Sequence, residues 1–111
     1  FGNDGSFSNI QGTETWVEPW QGGSDACANP VAPHDGSNPA TYSYDAGAGT
    51  LTLEGIGAYI GLPKANNQGE LPNVPVPDAI TYNVTFVDAN TIQVYVEAGA
   101  GVFWQYKLVK L

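Results

Sequence analysis

Residues 79–87, 91–97 and 102–111 alternate between apolar and polar side chains, with only Asp88-Ala89-Asn90 and Gly99-Ala100-Gly101 as turns between them. A period of two puts one set of side chains on one face of an extended chain, so these runs are strands. Turns this short allow only antiparallel hairpins. Upstream, Thr41-Tyr42-Ser43-Tyr44 and Thr50-Leu51-Thr52-Leu53-Glu54 flank the turn Asp45-Ala46-Gly47-Ala48-Gly49 and repeat the pattern. Residues 6–10 alternate after the turn Asn3-Asp4-Gly5, and residues 13–17 alternate as far as Pro19, which cannot donate to a ladder. Residues 55–62, Gly-Ile-Gly-Ala-Tyr-Ile-Gly-Leu, read as one more apolar strand, its glycines marking a bulge or a close backbone approach. No segment carries a helical stripe. The expected fold is all-β: an antiparallel up-and-down meander of about seven or eight strands, closed into a barrel or a flattened sandwich so that no edge stays unpaired.

A chain of 111 residues is one domain, taken as 1–111. Two irregular stretches, 19–40 and 63–78, are rich in Pro and Gly and too long for plain connections, so they are expected to be ordered surface loops. Only 13% of residues are charged, and 11 acids face three lysines and no arginine, for a net charge of -8. Nucleic acid is excluded as a partner, because three lysines cannot make the basic face that displaces counterions from phosphates. An anionic membrane surface is disfavoured for the same reason. No apolar run approaches the ~20 residues of a membrane span, so no membrane insertion is expected. One Cys and one His cannot close a metal site, the acids are too scattered to name a calcium site, and no phosphate-binding glycine loop is present. Neither a metal nor a cofactor is expected. Three roles are open to the single Cys27: a buried thiol, a half-cystine paired outside the chain, or a reactive nucleophile.

Glu14, Trp16 and Glu18 share one face of a strand at i, i+2 and i+4. Two carboxylates flanking a sugar bond are the machinery of glycoside hydrolysis, held ~5–5.5 Å apart in retaining enzymes. Residues four apart on a regular strand are separated by about 13 Å, so the pattern suits a solvated face with one platform aromatic better than a catalytic pair. Trp20, between Pro19 and Gln21-Gly22-Gly23, sits on a loop shoulder where a flat ring is available to a ligand. A ring of this kind stacks on the apolar C–H face of a sugar while neighbouring amides and carboxylates bond its hydroxyls. His34-Asp35 has the residue types of a general-base pair, yet neighbours on a loop seldom orient each other, and no Ser or Cys nucleophile motif accompanies them. Lys64, Asn66, Asn67 and Glu70 bring hydroxyl-bonding groups to the second long loop, and Tyr59 belongs to the same aromatic stock. The candidate ligand-binding residues are therefore Trp16, Glu18, Trp20, Gln21, His34, Asp35, Tyr59, Lys64, Asn66 and Asn67, with no catalytic or metal-binding residue among them.

Residues 12–23, 30–37, 57–64, 80–84 and 103–110 together resemble a small β-domain of secreted proteins of marine bacteria. That domain is often attached to family-16-type glycoside hydrolases or other polysaccharide-handling modules. The likeness covers nearly the whole chain. It implies a lipocalin-like barrel, an extracellular or cell-surface location, and a role beside a carbohydrate-active enzyme. Where the family-16 pattern runs Glu, Asp, Glu along a strand, this chain has Trp16 in the central place. The family carries further residues ahead of the position of Phe1, a second Cys among them. The resemblance thus implies a chain truncated at its N-terminus, with Cys27 separated from its partner and meant for an oxidising compartment. A homodimer through Cys27 or through an exposed sheet edge is the corresponding expectation. The leading expectation for function is a non-catalytic module for a neutral poly- or oligosaccharide. The alternatives are a glycoside hydrolase using Glu14 and Glu18, and a structural or lipophilic-ligand barrel.

Overall fold

The computed structural model describes residues 1–111. In chain order its strands are β1 (Ser6–Phe7), β2 (Thr15–Val17), β3 (Ala26–Ala28), β4 (Ala40–Asp45), β5 (Thr50–Glu54), β6 (Ala65–Asn66), β7 (Gly69–Glu70), β8 (Ala79–Asp88), β9 (Thr91–Gly99) and β10 (Val102–Val109). The one helical element is a 3-10 turn, Pro19–Gln21. Six strands form an antiparallel sheet in the order β1-β4-β5-β8-β9-β10, while β2–β3 and β6–β7 are separate two-stranded ribbons. The protein is all-β and antiparallel, as its alternation requires. The last three strands form the expected meander.

Register turns that alternation into a core. Tyr42 lies opposite Leu53, Leu51 opposite Tyr82, Val84 opposite Val94, and Val94 opposite Tyr106, so one face collects apolar side chains from five neighbouring strands. Leu53, Tyr82, Val94 and Val96 are fully buried there. Burying one such side chain contributes about 1.5–3 kcal/mol relative to leaving it exposed. The opposite face is lined by Ser43, Thr52, Thr81, Gln93 and Gln105, with Thr52 and Thr81 joined through their hydroxyls at 2.9 Å. The Asp45 turn closes as an Asx turn, its Oδ1 accepting from the N–H groups of Gly47 at 2.9 Å and Ala48 at 3.0 Å.

Two sequence expectations are corrected. Residues 55–62 are not a strand, because Gly55, Gly57 and Gly61 adopt φ of 142°, 84° and 81°, outside the range of a β ladder. The segment instead lies across the apolar face of the sheet. It is pinned by two tyrosines that rise from that face: the Ile60 N–H donates to Tyr82 Oη at 2.9 Å, and the Leu62 N–H to Tyr106 Oη at 3.3 Å. At Gly61 a Cβ would stand 2.1 Å from the Tyr106 ring, so the close approach requires glycine. Second, residues 13–17 join no strand of the main sheet; β2 pairs with β3, inside a stretch expected to be loop. No strand pairing closes the main sheet. β1, only two residues long, and β10, eight residues long, are its two edges and do not pair with each other. The chain between β5 and β8 is spent covering the sheet and does not extend it.

That covering reaches only half of the apolar face. Around Tyr44 and Phe86 the sheet is bare, with Ile92 and Leu108 only partly buried, Phe86 63% exposed and a hollow of about 600 Å³ beside it. Phe1 reaches across this side, edge-on to Tyr42 at 5.0 Å and tilted against Phe7 at 5.2 Å. No helix is long and apolar enough to cross a membrane.

Candidate functional site

The other half of the sheet carries the loops, and the candidate residues gather there. Strand β2 sets Trp16 opposite Cys27, leaving both side chains exposed, and buries the adjacent Val17. Glu18 is extended (φ -112°, ψ 161°), and Pro19 then starts the 3-10 turn with its φ already suited to it. Inside this turn Gln21 N–H donates to the Glu18 carbonyl at 2.9 Å, and Glu18 N–H donates to Gln21 Oε1 at 3.2 Å. Gly22, at φ 88°, ends the turn. The result fixes Glu18, Trp20 and Gln21 relative to one another from a stretch of four residues.

Glu18 is the polar hub. Its Oε2 accepts from Trp20 Nε1 at 2.7 Å, and its Oε1 faces Lys64 Nζ at 3.5 Å. The Trp20 hydrogen bond, followed by the Lys64 charge, holds its carboxyl below the usual carboxylate range against an opposing effect of burial. Lys64 comes from the segment that Tyr82 and Tyr106 pin down. Asn9 completes that wall by gripping the Tyr59 backbone, donating from Nδ2 to its carbonyl at 2.8 Å and accepting from its N–H at 3.3 Å. Between the two walls lies a cleft of about 240 Å³ lined by Thr15, Trp16, Glu18, Gln21, Tyr59, Gly61, Leu62, Pro63 and Lys64.

A second cleft, of about 300 Å³, opens on the other side of Gln21, where Trp20 and His34 meet Pro33, Leu71, Val74 and Val76. His34 is only 4% exposed, its ring edge-on to Trp20 at 5.5 Å and to Tyr59 at 6.0 Å. Its backbone N–H donates to the Val31 carbonyl, and its own carbonyl accepts from Gln11 Nε2. Burial pushes the imidazole below its ordinary value near 6.5, with neighbouring Asp35 acting weakly in the other direction.

Seven of the ten sequence candidates thus line or floor the two clefts: Trp16, Glu18, Trp20, Gln21, His34, Tyr59 and Lys64. Three do not. Asp35 turns away to cap its own loop, accepting from Ser37 N–H at 3.1 Å and Ser37 Oγ at 2.6 Å, so it does not orient His34. Asn67 Oδ1 accepts from Thr81 N–H at 3.2 Å and ties the β6–β7 ribbon to the sheet. Asn66 is buried within that ribbon, and Glu70 is taken up by Trp104 Nε1 at 2.7 Å. Glu14 is exposed and outside both clefts. Sequence reasoning overlooked the apolar wall of Leu71, Val74 and Val76, and the positioning residues Asn9, Gln11, Tyr82 and Tyr106. Only the inward parity of the two tyrosines signalled any of these. No three of the His, Cys, Asp and Glu side chains stand close enough to hold a metal ion.

No family model, no curated protein and no solved structure matches the chain.

Proposed function

We propose that this protein is a secreted, non-catalytic carbohydrate-binding module for a neutral polysaccharide or oligosaccharide, accessory to a carbohydrate-active enzyme. The observation that carries this reading is Trp16, a residue 54% exposed at a cleft edged by Glu18, Gln21 and Lys64. A pyranose placed over the indole gains apolar contact on one face, and the carboxylate, amide and ammonium bond its hydroxyls at the rim. Glu18 serves as an acceptor. Its carboxyl is held ionised and bonded to Trp20, the opposite of what a general acid needs, and Glu14 stands outside the cleft, so a hydrolytic pair has no support here. The net charge of -8 argues against sulfated or uronate-rich chains. The resemblance to domains attached to glycoside hydrolases supports the accessory, extracellular role.

Affinity electrophoresis on laminarin-type and other β-glucans tests the reading. Retardation that Trp16→Ala abolishes, with the folded spectrum unchanged, is the expected result. Migration unaltered by every glycan overturns it. A second reading, a lipophilic ligand, rests on the bare half of the sheet beside Phe86, where a further layer would complete a lipocalin-like barrel or a sandwich. Displacement of a fluorescent fatty acid is its test.

A further inference from the structure

The two clefts share Gln21, and they differ in chemistry. The first offers a carboxylate, an ammonium and an amide. The second has no charged side chain: Pro33, Leu71, Val74 and Val76 make its walls, and its polar side-chain groups are the Gln21 amide and the rings of Trp20 and His34. The Trp20 N–H is already committed to Glu18, and His34 is almost wholly buried. The orientation of Gln21 is settled by its neighbours. Because Oε1 accepts from the Glu18 N–H, Nε2 is the donor end of the amide, and it makes no hydrogen bond within the chain. One free amide donor thus stands at the junction with a recess whose side-chain walls are apolar.

An ordinary hexose unit does not suit such a recess. Against the side-chain walls of Pro33, Leu71, Val74 and Val76 its hydroxyls would meet no polar side-chain partner but the Gln21 amide, and each polar group placed there without a partner weakens binding. A unit carrying an acetyl group does suit it. The methyl enters among Leu71, Val74 and Val76, and the carbonyl oxygen accepts from Gln21 Nε2. We infer that the second cleft is an acetyl-recognising subsite, so that the chain prefers a glycan whose sugar over Trp16 adjoins an acetylated unit. The inference rests on the carbohydrate reading and names its ligand class. The acetyl group can come from an N-acetylated amino sugar or from an O-acetyl ester, since both present a methyl beside a carbonyl.

The test compares ligands with and without acetyl groups, by titration calorimetry: chitotetraose, whose 2-acetamido groups stand where cellotetraose has 2-hydroxyls, against cellotetraose, and acetylated xylan against the same xylan after mild alkaline deacetylation, a pair that differs in acetylation alone. One methyl withdrawn from water and one amide hydrogen bond amount to roughly a tenfold gain in affinity. Preference for chitotetraose alone assigns the subsite to N-acetyl groups; preference for acetylated xylan alone assigns it to O-acetyl esters. Val74→Thr keeps the side-chain shape but adds a hydroxyl to the recess. It is expected to bring the affinity for each acetylated ligand down to that for its unacetylated partner. Gln21→Glu keeps the oxygen that caps Glu18 and removes the donor, and it is expected to have the same effect on the preference. Equal affinity for acetylated and unacetylated partners overturns the subsite and leaves the carbohydrate reading standing. Failure of both acetylated ligands to bind also overturns the subsite, and failure of the β-glucans as well removes the carbohydrate reading with it.

Discussion

Replacing Tyr82 by phenylalanine removes one oxygen atom from the centre of the molecule and keeps the ring. That oxygen accepts from the Ile60 N–H at 2.9 Å and lies within reach of the Ile60 carbonyl at 3.5 Å, all of it buried. The Tyr82 hydroxyl stays protonated at any ordinary pH, since burial pushes its pKa upward, so the loss is that of a neutral hydrogen bond. Because the phenylalanine ring fills the same space, no cavity penalty enters. What remains is a backbone donor stranded away from water, a cost of about 1–3 kcal/mol. At the usual unfolding entropy per residue, a 111-residue chain loses roughly 4 °C of Tm per kcal/mol, so Tyr82→Phe is expected to lower Tm by about 4–12 °C. Thermal and urea unfolding followed by tryptophan fluorescence measure it. Tyr106→Phe is the internal control: its partner, the Leu62 N–H, is 3.3 Å away and only half-buried, so the expected loss is about 1 kcal/mol or less. Ligand affinity is expected to fall with Tyr82→Phe too, because Tyr59 and Lys64 ride on the segment that Tyr82 holds. A Tyr82→Phe protein within about 0.5 kcal/mol of the parent, or a larger loss from Tyr106→Phe, refutes the view that Tyr82 anchors this wall.

Three further outcomes are expected. His34 is kept neutral by burial, with a folded pKa below its ordinary 6.5. As pH falls through ~6.5 the unfolded chain therefore takes up a proton that the folded chain refuses, and stability present above that value declines by at most ~1.4 kcal/mol per pH unit until the lower folded value is reached. Urea midpoints that do not decline between about pH 7 and pH 5.5, or that decline equally in His34→Gln, contradict this assignment. Gly61→Ala combines a left-handed φ of 81° with a Cβ that would stand 2.1 Å from the Tyr106 ring, and it is expected to destabilise by at least about 2 kcal/mol in chemical denaturation. A neutral result there means that the segment moves freely off the sheet. Cys27 is exposed and opposite Trp16 on one face of the β2–β3 ribbon, with their Cβ atoms about 5 Å apart by the geometry of paired strands. It is expected to react completely with a thiol reagent in the native protein, to form a disulfide-linked dimer slowly in air, and, once carrying a bulky maleimide, to block ligand at Trp16. Reaction only after denaturation, or unchanged binding by the labelled protein, counts against that placement.

How much of this was readable in advance depends on how local the determining physics is. Strands β8, β9 and β10 were legible because alternation and short turns determine both face and partner within about thirty residues. Strand β2 was legible as a strand and illegible as to partner: alternation in 13–17 assigns a face, whereas pairing with Cys27 and its neighbours depends on where a long loop returns. Residues 55–62 misled because an apolar run looks alike as a buried strand and as a strap over a sheet, and what separates them is the sign of φ at three glycines. The binding residues divide along the same line. Glu18, Trp20 and Gln21 were recoverable because one 3-10 turn builds their arrangement from adjacent residues. Asp35 and Asn67 have the same hydrogen-bonding chemistry as true ligand contacts, yet they are consumed by Ser37 and by the Thr81 backbone, and a polar side chain does not announce which partner will claim it. The apolar recess of Leu71, Val74 and Val76 had no local mark at all. It exists only because the strand-to-strand connection of 63–78 is laid against the Trp20 shoulder, some fifty residues earlier in the chain. A site split in this way ties ligand contact to fold closure. Substitutions that loosen the 55–78 covering, such as Gly61→Ala or Tyr82→Phe, should therefore impair both clefts together, whereas changes within Glu18–Gln21 should act on the ligand while leaving the sheet intact.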